Sequence, residues 1–251
     1  MTNLLKSISA VLLTLSFTSY GGEISLKTDK GFELKASYYQ GASKSTDKGD
    51  RAVLMLHQCN YNRTMYNDIG KLLAAQGIHA LSIDFRGFGE STNKEFNVES
   101  IQKLSQEERR TAWRAMSAHW PSDVQLAYDH LKSKISKKGA VGVIGASCGG
   151  SQAITLAEKN PIKVISFFSS GQREANIERY KNGLADKPTL IIASEEDTGT
   201  YNSGKKLFEV TKNVSSQFIG YKGGDHGYPL LDKDTHLASN IVNWFDSQLA
   251  E

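Results

Sequence analysis

The sequence predicts an α/β fold: a mostly parallel central sheet, helices on both faces, and a small helical insertion. Three observations predict it. Short apolar runs recur from Ala52 to Ile219, the pattern of strands buried on both faces. Helical segments separate most of these runs, as crossover connections between parallel strands require. One long polar stretch, Asn93 to Trp120, interrupts the alternation and reads as the insertion.

The first segment differs from the rest. Lys6 precedes a mostly apolar, uncharged run from Ile8 to Phe17, and the small residues Ser19, Gly21 and Gly22 lead to the first acid, Glu23. That layout is a secretory signal peptide over residues 1–22, so the protein is expected to be exported, periplasmic or secreted. The run is shorter than the roughly 20 apolar residues that span a bilayer, so no membrane span is expected in the mature chain. The alternative is a buried N-terminal helix of the fold. No cysteine stands near the exit to carry a lipid.

Residues 23–251 then read as one domain. Ile24, Leu26 and Thr28 alternate, Lys30-Gly31 turns the chain, and Phe32, Leu34, Ala36 and Tyr38 alternate again, giving a hairpin. Gly41 to Asp50 is a polar loop. Strands are expected at Ala52–Leu56, Ala80–Phe85, Ala140–Ile144, Val164–Phe168, Thr189–Ala193 and Gln217–Ile219. Helices are expected at Met65–Gln76, closed by Gly77, and at Pro121–Lys134, opened by proline. Ser147–Lys159, Ser203–Thr211 and Asp234–Leu249 complete the set.

Composition narrows the function. The formal net charge of +3 is too small to imply nucleic acid, and Lys132, Lys134, Lys137 and Lys138 read as a solvated helix end. Cys59 and Cys148 are the two cysteines, far apart and without zinc-ligand spacing, so no metal site is expected.

The strongest chemical signal is Gly145-Ala-Ser147-Cys148-Gly149, with an apolar strand before it and a helix after it. In G-x-S-x-G the nucleophile occupies a tight strand-to-helix turn, where a side chain two residues before or after would collide. Ser147 would also sit at a helix N-terminus, which favours developing negative charge. A shifted reading makes Cys148 the nucleophile between Ala146 and Gly150. The acid and the base should follow in that order. Asp197 closes Ser194-Glu-Glu-Asp after a buried strand; Glu195 and Glu196 are its alternatives. His226 lies in Gly223-Gly-Asp-His-Gly-Tyr, a mobile-looking turn suited to a base. His79, His119, His130 and His236 occupy other kinds of position. His57, with Gln58 and Cys59, ends a strand where a second oxyanion donor belongs. The first donor would be the N–H of Cys148, the second that of Cys59 or, one residue off, Gln58.

Val53-Leu-Met-Leu-His-Gln-Cys59, Leu81-Ser-Ile-Asp-Phe-Arg-Gly-Phe-Gly-Glu-Ser91, the serine turn, Pro188 to Gly199 and Gly223 to Tyr228 together resemble the α/β-hydrolases. The likeness is to serine-nucleophile relatives of dienelactone hydrolases and carboxylesterases, and it spans most of the mature chain. Two departures stand out: dienelactone hydrolases proper use cysteine where this chain has Ser147, and the usual His-Gly reads His57-Gln58. The resemblance implies a cofactor-free carboxylesterase acting on small esters or other acyl substrates. A peptidase, a thioesterase or a non-catalytic binding protein on the same fold are the alternatives. If both oxyanion donors face one oxygen, Cys59 and Cys148 must lie within a few ångströms, which suggests a disulfide bracing the oxyanion hole in an oxidising compartment; side chains that point apart, leaving two buried free thiols, are the alternative. The tryptophans of the insertion, Trp113 and Trp120, would either wall an acyl pocket or simply pack.

Overall fold

The computed structural model describes residues 21–42 and 50–250. The expected leader lies outside the described residues except for Gly21 and Gly22, which open the first strand. The first two strands, β1 (Gly21–Lys27) and β2 (Glu33–Tyr39), form the expected antiparallel hairpin. Six more follow: β3 (Arg51–Leu56), β4 (His79–Ile83), β5 (Ala140–Ala146), β6 (Ile162–Phe168), β7 (Thr189–Ser194) and β8 (Gln217–Tyr221).

Among the described residues the sheet runs β1-β2-β4-β3-β5-β6-β7-β8, parallel from β4 to β8. The chain leaves β3 toward β4 on one side, then returns to place β5 on its other side. The C-terminal ends of β3 and β5 therefore flank a topological switch point, the crevice where open α/β sheets bind ligands.

Alternation along β3 shows how the sheet is covered. Ala52, Leu54 and Leu56 face one core; Val53 and Met55 face the other. The first core takes α4 (Trp120–Lys132), α5 (Cys148–Lys159), α6 (Glu174–Gly183) and α7 (Thr198–Glu209). The second takes α1 (Asn67–Ala75), α8 (Tyr228–Lys233) and α9 (Leu237–Ala250). Leu237, Ile241, Val242, Trp244, Phe245 and Leu249 form the buried stripe of α9, spaced as a helix requires.

The insertion contains α2 (Val98–Gln102) and α3 (Gln106–Ser117). Ser105 and Glu108 cap α3 reciprocally. Trp120 is buried, and its indole N–H donates to the Arg86 carbonyl at 3.1 Å. Trp113 meets Phe88 and Trp120 edge-on. These rings pack against one another, which is the plainer of the two expected roles.

Asp84 to Ser91 fastens the insertion to the sheet. The buried Asp84 carboxylate accepts from the N–H groups of Arg63 and Glu90 and pairs with the Arg63 guanidinium. Arg86 grips Asp123 of α4 with two N–H donors, at 3.0 and 2.8 Å. Two helices were hidden in the sequence, α6 and α8, and α7 starts five residues before the expected Ser203. In the lysine cluster Lys134, Lys137 and Lys138 are exposed beyond the end of α4, while the Lys132 ammonium folds back onto the carbonyls of Ser136, Lys137 and Gly139. Among the described residues no helix is long and apolar enough to cross a membrane.

Candidate active site

Ser147 stands between β5 and α5 with φ 49° and ψ −115°. A non-glycine residue in that region carries backbone strain of about 1–3 kcal/mol and persists only where its surroundings fix it. Here the Ser147 N–H donates to Phe168 at 2.9 Å, and the Ser170 hydroxyl donates to the Ser147 carbonyl. The flanking glycines are sterically required. A Cβ on Gly145 would lie 2.4 Å from the Gly149 carbonyl oxygen, and one on Gly149 would lie 2.5 Å from that of Leu56. The tight turn thus centres on Ser147, and Cys148 is already the first residue of α5.

Asp197 and His226 come together from the ends of β7 and β8. His226 Nδ1 lies 2.7 Å from Asp197 Oδ2. An ionised carboxylate only accepts, so Nδ1 carries the proton and Nε2 keeps its lone pair. The Thr200 hydroxyl donates to the same Asp197 oxygen. Glu195 and Glu196 are exposed, their backbone N–H groups bonded to the carbonyls of Tyr221 and Gly223.

The His226 loop and the serine turn share a support. Ser169, the residue after Phe168, has φ 44°, and its hydroxyl accepts the Gly227 N–H at 2.9 Å. Residues 168–170 therefore hold both Ser147 and the loop carrying His226.

At the end of β3, Cys59 is joined to Cys148 by the expected disulfide, with Cα atoms 5.9 Å apart. Neither backbone N–H of these two residues has a hydrogen-bond acceptor among the described residues. The Gln58 carbonyl accepts from His57 Nδ1 at 2.7 Å and from the Tyr61 N–H at 3.0 Å. Those two bonds fix the plane of the Gln58–Cys59 peptide. Because a trans peptide sets N–H opposite to C=O, they also fix the direction of the Cys59 N–H.

His57 is fully buried, and its Nε2 accepts the Phe85 N–H at 2.9 Å. Burial lowers its pKa from 6.5 to about 4. It is a neutral joint between the β3 and β4 loops, with one nitrogen donating and the other accepting. A histidine whose folded pKa lies below its unfolded value is protonated first in the unfolded chain. Stability should be complete above about pH 6.5 and decline as pH falls toward 4, by up to about 3 kcal/mol. Urea unfolding across that window should show the decline in the wild type and a smaller one in His57→Gln; equal slopes would assign it to another group.

The cavity lined by Tyr221, Lys222, Asp225, Leu230, Lys233 and Asp234 contains none of the candidate catalytic side chains. Among the described residues no cluster of histidine, cysteine or carboxylates has the makings of a metal site.

The parallel sheet, the strained serine turn and the loops at the strand ends define an α/β-hydrolase. The family described as serine aminopeptidase, S33, matches residues 47–173, just over half of the chain, and the protein belongs to that family of hydrolases. No curated protein matches the sequence. Among solved structures, a cold-adapted esterase from an Arctic intertidal metagenomic library superposes with a TM-score of 0.67 at 21% identity, covering 92% of this chain and 95% of that one. An esterase from Pyrococcus furiosus gives 0.65 at 17% identity, covering 91% of each chain. A dienelactone hydrolase from Anabaena variabilis gives 0.62 at 16%, covering 91% of this chain and 97% of that one. At these identities the likeness is one of fold.

Proposed function

We propose that the protein is a carboxylesterase acting on small esters, with Ser147 as nucleophile, His226 as general base and Asp197 as its orienting acid. The observation that carries this reading is the 2.7 Å contact of Asp197 with His226 Nδ1, which leaves Nε2 free to accept a proton. Ser147 attacks the ester carbonyl while His226 Nε2 takes the hydroxyl proton. The carbonyl oxygen becomes an oxyanion, bound by the N–H groups of Cys59 and Cys148. Collapse expels the alcohol, which receives the proton from His226 and leaves an acyl-serine. Water, deprotonated by His226, then releases the acid. Asp197 stays ionised and stabilises the imidazolium. The leader reading places this chemistry outside the cytoplasm.

Esterases among the structures of the same fold favour an ester over an amide, whereas the family description favours a peptide substrate. One experiment separates the readings. Nitrophenyl esters of increasing acyl length and aminoacyl nitroanilides are assayed side by side, and a fluorophosphonate probe is mapped by mass spectrometry. Ester turnover with label on Ser147 is expected. Turnover of anilides alone would make the protein a peptidase, and no label with no turnover would make it a binding protein.

A further inference from the structure

We propose that Gln58 is a positioning residue that ties the oxyanion loop to the base loop, a role that rests on the triad reading above. Gln58 is 1% exposed, although it ends a strand at the site. Its Oε1 accepts the Tyr228 N–H at 2.8 Å, and its Nε2 donates to Asn60 Oδ1 at 2.7 Å and, at 3.4 Å, to the carbonyl of His226 itself. The backbone on either side of Gly227 presents one donor and one carbonyl acceptor. A primary amide answers both from a single side chain, which neither a carboxylate nor a hydrocarbon does.

The base loop is shaped to receive it. Gly227 has φ 69°, and a Cβ there would lie 1.9 Å from Gln58 Oε1. Next to this bond, the rings of Tyr61 and Tyr228 meet with centroids 4.3 Å apart, a second bridge between the same two loops. Ser194 donates to the Asp225 carbonyl at 2.7 Å, and Ser169 accepts from Gly227. Each residue from Asp225 to Tyr228 thus has a main-chain group held by a side chain, and Gln58 alone holds two of the four.

The same residue carries the peptide whose N–H belongs to Cys59. Its carbonyl is fixed by His57 and Tyr61, while its amide fixes the loop of His226. The oxyanion donor and the base are therefore positioned from one residue. This accounts for glutamine where the resemblance leads one to expect glycine: glycine has no side chain to span the gap.

The test combines kinetics with a readout that needs no substrate. Gln58→Met keeps the volume and removes all three hydrogen bonds of the amide, two of them to the His226 loop. It should lower kcat roughly 10- to 100-fold, the cost of a slightly misplaced catalytic group. KM should change by less than about three-fold, because ground-state binding is untouched. In proton NMR, the low-field resonance of His226 Nδ1–H bonded to Asp197 should shift or broaden. Gln58→Glu puts a carboxylate beside the base loop, so the acidic limb of the kcat–pH profile should move to higher pH. An unshifted resonance in Gln58→Met together with an unmoved limb in Gln58→Glu would overturn the proposal, whatever happens to kcat. Should the wild type hydrolyse no ester, the esterase reading fails, while the change in the resonance still tests the bridge.

Discussion

Ser147→Ala and His226→Ala should each cut ester turnover by roughly 10⁴- to 10⁶-fold and leave the fold intact. The losses should be similar because the members act as a unit: without the base the hydroxyl stays protonated, and without the hydroxyl the base has nothing to activate. Alanine keeps the Cβ that serine already carries at φ 49°, so the turn gains no new strain. Residual activity would come from the oxyanion donors and from substrate binding. Asp197→Asn should cost roughly 10⁴-fold, since an amide no longer enforces the Nδ1–H tautomer. Glu195→Gln and Glu196→Gln should remain near wild type, because both side chains are exposed and the contact to His226 is made by Asp197. Steady-state kinetics on one chromogenic ester, with circular dichroism to check the fold, decides the matter. Wild-type rates in Asp197→Asn with loss in Glu196→Gln would move the acid role one residue upstream.

The features legible in the sequence are those written in local pattern. Buried strands appear as unbroken apolar runs, and β5 through α5 is readable because the serine pattern is local: Gly145 is required by a clash within five residues, although Gly149 is kept small by the carbonyl of Leu56, far away in sequence. The start of α7 was not legible. Thr198-Gly-Thr-Tyr-Asn-Ser is composed like a loop, yet the helix begins directly after Asp197. Helix α6 is similarly obscure, since its mostly polar sequence buries only Ile177 and Tyr180. The clamps on the His226 loop are further from sequence reasoning still. Gln58 and Tyr228 are 170 positions apart, and Ser169 and Gly227 are 58 apart. No periodicity connects such pairs; only the strand order brings the ends of β3, β6, β7 and β8 to one edge of the sheet. His57 shows the converse. Its place at a strand end was plain, but its task as a neutral joint required knowing that both ring nitrogens are bonded in a dry interior.

Reduction of the Cys59–Cys148 bond should lower stability by about 4–5 kcal/mol while reducing turnover far less. The two cysteines are 89 positions apart, and a cross-link closing a loop of that length removes much of the freedom of the unfolded chain. Both residues are only half-buried, so a dithiol reagent can reach the bond; it is oxidised to its own disulfide as two cysteine thiols form. A large fall in activity would require the Cys59 N–H to leave the oxyanion, at a cost of about 3–4 kcal/mol in the transition state. The loop has other restraints, however. The Gln58 carbonyl keeps its bonds to His57 and Tyr61 whether or not the sulfurs are joined. The expected loss of kcat is therefore about ten-fold or less, near 1.4 kcal/mol of barrier. Thiol titration under denaturing conditions should find no free thiol in protein purified from an oxidising compartment and two after reduction. Urea unfolding of the oxidised protein and of a Cys59→Ser/Cys148→Ser variant would measure the stability difference, and ester assays on the same samples would measure the rate. Two free thiols before reduction would remove the brace from the mechanism. Loss of activity as complete as in Ser147→Ala would show that the disulfide alone holds the oxyanion hole together, against the restraints assigned to His57 and Tyr61.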